Sequence, residues 1–254
     1  MLRKAFSVLG AWIDALSWDE AIGHIALWGT VHESRYVCLC NVHSVITTTR
    51  DPAFRKIINE ADMCAPDGAP IAWALRHFGM SAQQRVNGPD LMWRYLHVAE
   101  RAGHTVFFFG GTREALTRLL AAVEQHFPRL VVGGALSPPF RSISESEDEL
   151  AVETINRSGA HVVFVALGCP KQECWMAAHR GRIHAVMIGV GAAFDYHAGM
   201  VRRAPPWWQY HGLEWLYRLG SDPQRLARRY LVTNTLFIIG IARQLLRMKL
   251  HLFH

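Results

Sequence analysis

The chain has 254 residues, of which 50% are hydrophobic and 19% charged, with mean hydropathy near zero and a formal net charge of +6. That balance excludes a disordered chain, and the ordinary 20 glycines and 11 prolines exclude a collagen-like or low-complexity one. A chain this long buries roughly 70–75% of its unfolded surface, so one domain, or one domain with an appendage, is expected.

The strand candidates, in chain order, are 36–41, 63–65, 105–110, 130–133, 162–167 and 185–190. Several are unbroken Val/Phe/Ile-rich runs, the pattern of strands covered on both faces. Helix candidates lie between them at 51–60, 70–78, 89–102, 113–127, 147–157 and 171–182. Ser144 to Glu147 reads as a capping box, and Gly103 and Gly159 read as helix stops. The alternation predicts an α/β fold: a parallel sheet flanked by helices on both faces. After Gly199 the strand-like alternation ends. Pro205-Pro206 marks a break, and Asp222-Pro223 reads as the N-cap and first position of a further helix. The expected organisation is a core over 1–199 and a C-terminal α-helical appendage over 200–254.

Five cysteines (Cys38, Cys40, Cys64, Cys169, Cys174) form no CxxC pair. Cys38 and Cys40, inside an apolar run, read as core thiols rather than ligands, and neither a disulfide framework nor a zinc site is expected, which fits a reducing cytoplasm. Asp14 and Asp19 interrupt the apolar opening, so no signal peptide is expected. The uncharged run 230–242 is shorter than the ~20 residues a membrane span needs, so no span is expected either. The fourteen histidines show no HExxH or HxH spacing, and no metal site is expected.

The charge is localised. Residues 202–254 hold nine Lys/Arg against two acids, Glu214 and Asp222, a surplus of +7, while the rest balances to −1. Such asymmetry points to a polyanionic partner: an anionic membrane surface, a phosphate-rich ligand or nucleic acid. Trp207, Trp208, Trp215, Tyr217 and Tyr230 alternate with the arginines, a mixture suited to a membrane interface.

Five constellations could carry chemistry. Asp67, in Ala65-Pro66-Asp67-Gly68 after a short strand, is either a general base at the carboxyl end of the sheet or a cap for the next helix. Gly110-Gly111-Thr112 is either a phosphate-binding turn or a plain tight one, and it is neither a GxGxxG nor a Walker A motif. In Gly168-Cys169-Pro170-Lys171-Gln172-Glu173, Gln172 and Glu173 either meet a ligand or cap a helix. Cys169 lacks a convincing neighbouring base for a nucleophile. Asp195, closing Gly189-Val190-Gly191-Ala192-Ala193-Phe194-Asp195, either binds a sugar hydroxyl or holds a neighbouring arginine. Arg218, Arg225 and Arg228, at offsets of 7 and 3, are expected on one helical face. They form either a diphosphate-binding fork or a solvated face.

Taken together, these motifs resemble the WecG/TagA/CpsF family of bacterial glycosyltransferases, glycosyltransferase family 26. The resemblance runs from about Val37 to Tyr230. It rests on the Asn41 segment, Ala-Pro-Asp67-Gly, Gln84-Arg85-Val-Asn87-Gly88-Pro-Asp90-Leu, Phe-Phe-Gly110-Gly111, Gly168-Cys-Pro-Lys171-Gln172-Glu173-Cys-Trp175, Gly191-Ala-Ala-Phe-Asp195, Ala204-Pro205 and Gly212-Leu-Glu214-Trp-Leu-Tyr-Arg218. It implies a Rossmann-like core with a C-terminal helical appendage. It also implies an inverting transferase that needs no metal or cofactor and moves a sugar from a UDP-sugar to a polyprenyl-diphosphate-linked saccharide. The work would be done on the inner face of the bacterial cytoplasmic membrane, for surface or exopolysaccharide biosynthesis.

Carried over by position, Asp67 is the expected base, and Arg218, Arg225 and Arg228 are the arginines that steady the leaving UDP. The expected substrate-binding set is Asn41, Arg85, Asn87, Gly110, Gly111, Gln172, Glu173 and Asp195. Leu39 stands where many members have threonine. That departure favours a hexose donor such as UDP-glucose over UDP-N-acetylmannosamine or its uronate, the teichoic acid or enterobacterial common antigen type. Residues 231–254 read as an interfacial membrane helix, with packing on a second protomer as the competing reading. The rival classes are a nucleotide- or nucleic-acid-binding module without enzymatic activity and a nicotinamide-dependent oxidoreductase. The first has no supporting nucleic-acid motif, and the second lacks the glycine fingerprint.

Overall fold

The computed structural model describes residues 4–139, 141 and 143–251, with the side chains of Arg225 and His251 outside the described set. An antiparallel hairpin, β1 (Ala5–Val8) and β2 (Ala11–Asp14), turns through Leu9 and Gly10. Then follow α1 (Trp18–Thr30), β3 (Arg35–Cys40), α2 (Val42–Arg50), α3 (Pro52–Glu60), β4 (Met63–Pro66), α4 (Ala69–His77) and α5 (Gly88–Ala102). The alternation continues with β5 (Thr105–Gly110), α6 (Arg113–His126), β6 (Val131–Leu136), α7 (Glu145–Arg157), β7 (Val162–Ala166), α8 (Lys171–Ala178) and β8 (Val186–Gly189). Four helices close the described chain: α9 (Ala193–His197), α10 (Pro206–Tyr210), α11 (Glu214–Ser221) and α12 (Pro223–His251).

The six later strands form one parallel sheet in the order β4-β3-β8-β7-β5-β6. Successive side chains leave a strand on opposite faces. Phe107, Phe109, Val163 and Val165 enter the core on one side, and Val106, Phe108, Val162 and Phe164 enter the core on the other. Both faces are dry, which is why these strands read as unbroken apolar runs. Each fully buried Phe or Val contributes roughly 1.5–3 kcal/mol. The protein is therefore α/β and Rossmann-like, with a helical C-terminal appendage.

The hairpin, α1, α2 and α9 are additions to the expected elements. In α2, Val42, Val45, Ile46, Thr47, Thr48 and Thr49 are β-branched and poor helix formers. Asn41 and Ser44 form a capping box that offsets this, and Val42, Val45 and Ile46 are buried in the core. The expected caps at Ser144, Gly103 and Gly159 are present: Ser144 pairs with Glu147, and both glycines have positive φ. Cys38, Cys40 and Cys64 are buried, and Cys64 Sγ donates to Cys40 Sγ at 2.9 Å. His104 bonds the Tyr95 hydroxyl at 2.9 Å and stacks on His161; burial holds both imidazoles below the ordinary histidine value.

Helix α12 has two apolar faces. Leu226, Thr233, Phe237 and Ile241, at helical spacing, are buried against the rest of the protein, and Gln244 ties the helix to the hairpin. Its Oε1 accepts from Leu9 N–H (3.0 Å), and its Nε2 donates to the Ser7 carbonyl (2.6 Å). The opposite face leaves Leu231, Ile238 and Leu250 at 73%, 64% and 66% exposure. The helix continues past the charged residues that end the 230–242 run. As a result, Leu226–Leu250 is long and apolar enough to cross a membrane by length and composition, against the expectation of no such segment.

Candidate active site

All six parallel strands end on the same side, and ligands of open α/β sheets bind beyond those carboxyl ends. There, residues after β3, β4, β7 and β8 surround a cleft of about 400 Å³ that α11 and α12 wall on the outside. Its polar lining includes Asn41, His43, Asp67, Arg85, Gln172, Glu173, Tyr196, Glu214, Arg218 and Arg229.

The β3–β4 register pairs Cys40 with Pro66, so Asn41 and Asp67 leave the sheet side by side. Helix α4 begins at an N-cap glycine, Gly68, without a side-chain cap, so Asp67 is not spent on capping. Its backbone N–H donates to the Cys40 carbonyl at 2.9 Å. Asn41 Oδ1 accepts from the His43 and Ser44 N–H groups, which turns Nδ2 toward Asp67 Oδ2 at 3.5 Å. Burial pushes the Asp67 carboxyl above the ordinary aspartate value. Arg85 opposes that shift, nearby Glu214 reinforces it, and Asn41 and Arg218 pull the other way. A carboxylate with raised proton affinity is a better base at neutral pH.

Arg85 donates from Nη2 to Glu214 Oε2 at 2.5 Å. Arg218 lies over the Tyr196 ring, 5.6 Å from its centroid. Across the cleft, Gln172 Oε1 accepts from Gly191 N–H (3.1 Å), and its Nε2 donates to Glu173 Oε1 (2.9 Å). A Cβ on Gly189 would sit 2.9 Å from Gln172 Nε2, so glycine lets the β8 end approach this pair. Glu173 is 1% exposed, and burial raises its carboxyl above the usual range. Burial, then neighbouring Glu173, pushes the Cys169 thiol far up, which removes the thiolate a cysteine nucleophile requires.

The expected site residues divide. Asn41, Asp67, Arg85, Gln172, Glu173 and Arg218 meet in the cleft. Asn87, Gly110, Gly111 and Asp195 do not line it. Asn87 caps α5 and accepts from Arg203, which also grips Asp90 with both arms of its fork. A Cβ on Gly110 would sit 2.5 Å from the Ala166 carbonyl oxygen, at φ +115°, so glycine serves strand packing there. Gly111 packs against Phe194. The Asp195 carbonyl accepts from the Met200 and Val201 N–H groups.

The single arginine face is corrected. The chain breaks at Asp222, so Arg218 lies on α11 and Arg225 and Arg228 on α12. Arg228 is exposed and outside the cleft lining, where Arg229 stands in its place. The Arg225 side chain lies outside the described residues. His43, Tyr196, Glu214 and Arg229 are not among the expected site residues. His43 belongs to the first turn of the unforeseen α2, and Arg229 lies three residues after buried Leu226, near the inward side of α12.

Five buried polar atoms of the cleft have no partner among the described residues: His43 Nδ1, Arg85 Nε, Glu173 Oε2, Tyr196 Oη and Arg229 Nε. Buried polar groups are almost always satisfied, so their convergence in one cavity marks a binding site for a ligand rich in hydroxyl and phosphate oxygens. Donors and acceptors of this kind, with a base and two arginine-bearing helices over a Rossmann-like sheet, suit transfer of a sugar from a nucleotide. The family model of the WecG/TagA/CpsF glycosyl transferases matches residues 6–251, nearly the whole chain, and the protein belongs to that glycosyltransferase family.

Proposed function

We propose that the protein is an inverting transferase that moves a sugar from a UDP-sugar to a polyprenyl-diphosphate-linked saccharide. The acceptor oxygen attacks the anomeric carbon and gives its proton to Asp67. The bond from that carbon to the diphosphate oxygen breaks, and UDP leaves with the electron pair. Arg85 and Arg218 stabilise the charge that grows on it, with Arg229 and His43 nearby. The observation that carries this reading is the convergence of unpartnered buried polar atoms around Asp67. In this scheme the arginines supply the positive charge, and among the described residues no group of three or more His, Cys, Asp or Glu is placed to hold a metal ion.

Leu39 is buried and lines the cleft with methyl groups. Leucine there offers no hydroxyl contact such as a threonine would give, and on that loss we favour a hexose donor such as glucose over N-acetylmannosamine or its uronate. A titration with UDP in excess chelator tests the site. Micromolar binding, with no affinity for NAD or DNA, is expected; binding that vanishes with the chelator, or prefers NAD or DNA, would overturn the reading.

We also place the protein at the cytoplasmic membrane surface, with the outward apolar face of α12 and the basic Arg243, Arg247 and Lys249 as its contact. Apolar burial and attraction to anionic lipid act together in such helices. Sedimentation with anionic vesicles checks this: the full chain is expected to pellet, and Leu231→Glu combined with Ile238→Glu to remain in solution. Equal pelleting of the variant would put the contact elsewhere or assign this face to a second protomer.

A further inference from the structure

Glu214 is one of only two acids in the basic stretch 202–254, and it points into the cleft. Its partner, Arg85, is 129 residues away, and the paired side chains are only 20% (Arg85) and 12% (Glu214) exposed. The two ends of the pair differ in how firmly they are held. Arg85 rides on backbone locked to the core. Gln83 exchanges two hydrogen bonds with Leu16 (3.0 and 2.8 Å), Arg76 donates to the Gln83 carbonyl (3.0 Å), and Val86 N–H donates to the Pro66 carbonyl (2.8 Å). Glu214 opens α11, just after Gly212. Gly212 has φ +72°, and a Cβ there would lie 2.8 Å from the Ala69 side chain. That close approach at the start of α4 lets the turn settle low enough for Glu214 to reach Arg85.

We propose that Glu214 is a positioning residue of the transfer: its ion pair with Arg85 docks α11 on the cleft and fixes that guanidinium beside Asp67. The inference rests on the transferase reading above. Arg85 is then divided. Nη2 is held by the docked helix, while buried Nε has no partner among the described residues and is left for the donor's diphosphate. The pair also sets the field at the base. Asp67 is faced by Asn41 from the start of α2, by Arg85, and by Glu214 and Arg218 from α11. Glu214 in turn acts on Tyr196 and Arg203. A second negative charge near Asp67 favours its protonated form, so neutralising Glu214 stabilises the carboxylate.

Two variants and two readouts test this. Glu214→Gln keeps the shape and an acceptor for Arg85 but loses the charge; Glu214→Ala loses both. In ligand-free protein, hydrogen exchange over residues 214–221 is expected to quicken at least tenfold in Glu214→Ala. Unchanged exchange would overturn the docking role. In UDP-release assays, the acid limb of kcat/KM is expected to move down by roughly half a pH unit in Glu214→Gln. In Glu214→Ala, kcat is expected to fall at least tenfold with a smaller change in KM. An unmoved acid limb would overturn the positioning role. If the wild type itself releases no UDP, the transferase reading falls, and the exchange experiment still decides whether Glu214 docks the helix.

Discussion

Replacing Asp67 with alanine is expected to lower turnover by about 10²–10⁴-fold, the range for loss of a general base, while UDP affinity stays within about threefold. The other carboxyl groups lining the cleft are engaged. Glu173 is buried across the cleft and bonded to Gln172, and Glu214 is committed to Arg85. Nor is the Asp67 carboxylate the cap that starts α4, so its loss spares that helix. Asp67→Asn should be as inactive as the alanine variant, because an amide keeps the shape and cannot accept the proton. The pH dependence follows with a definite sign. Burial raises the Asp67 pKa, and the base works only when ionised. Activity should therefore fall as pH drops through a value above the ordinary 3.8, and this limb should be lost from whatever residual rate Asp67→Asn retains. Turnover near that of the wild type in either variant would remove Asp67 from the chemistry.

Arg218→Ala should cost about 10²–10³-fold in kcat, the usual loss when one preorganised donor to a developing anion is removed. Arg218 is half-buried over Tyr196 and faces the same space as Arg85 and Asp67. Lysine should rescue only part of the rate, since an ammonium does not reproduce the planar fork. Arg228→Ala is the informative contrast. Its side chain is exposed on α12 and outside the cleft lining, so its removal should change kcat less than about twofold. Steady-state kinetics of the two variants side by side decide the matter. Equal losses would mean that α12 turns during the reaction and brings Arg228 inward.

The parallel sheet was legible because its strands are buried on both faces, so Thr105–Gly110 and Val162–Ala166 read as unbroken apolar runs. Asp67, Asn41 and Gln172 were legible because each directly follows, or lies within a few residues of, the carboxyl end of such a strand. Helix α2 was not, because its β-branched residues are held by a capping box and tertiary packing rather than by propensity. The arginines were legible as a charge surplus but not as a geometry. The helix breaks at Asp222, which puts Arg218 on α11 and Arg225 and Arg228 on α12, and it is Arg229 rather than Arg228 that lines the cleft. Glu214 was visible as an isolated acid. That it meets Arg85 is a tertiary fact that no local pattern carries.

The decisive measurement is UDP release from a panel of UDP-sugars, in detergent and excess chelator, with and without a polyprenyl-diphosphate-linked saccharide. Release that requires the lipid-linked acceptor, survives the chelator and favours one UDP-hexose is the expected result. Folded protein that binds UDP yet releases none from any donor with the acceptor present, or release that stops when the chelator is added, would contradict the proposed metal-free transfer.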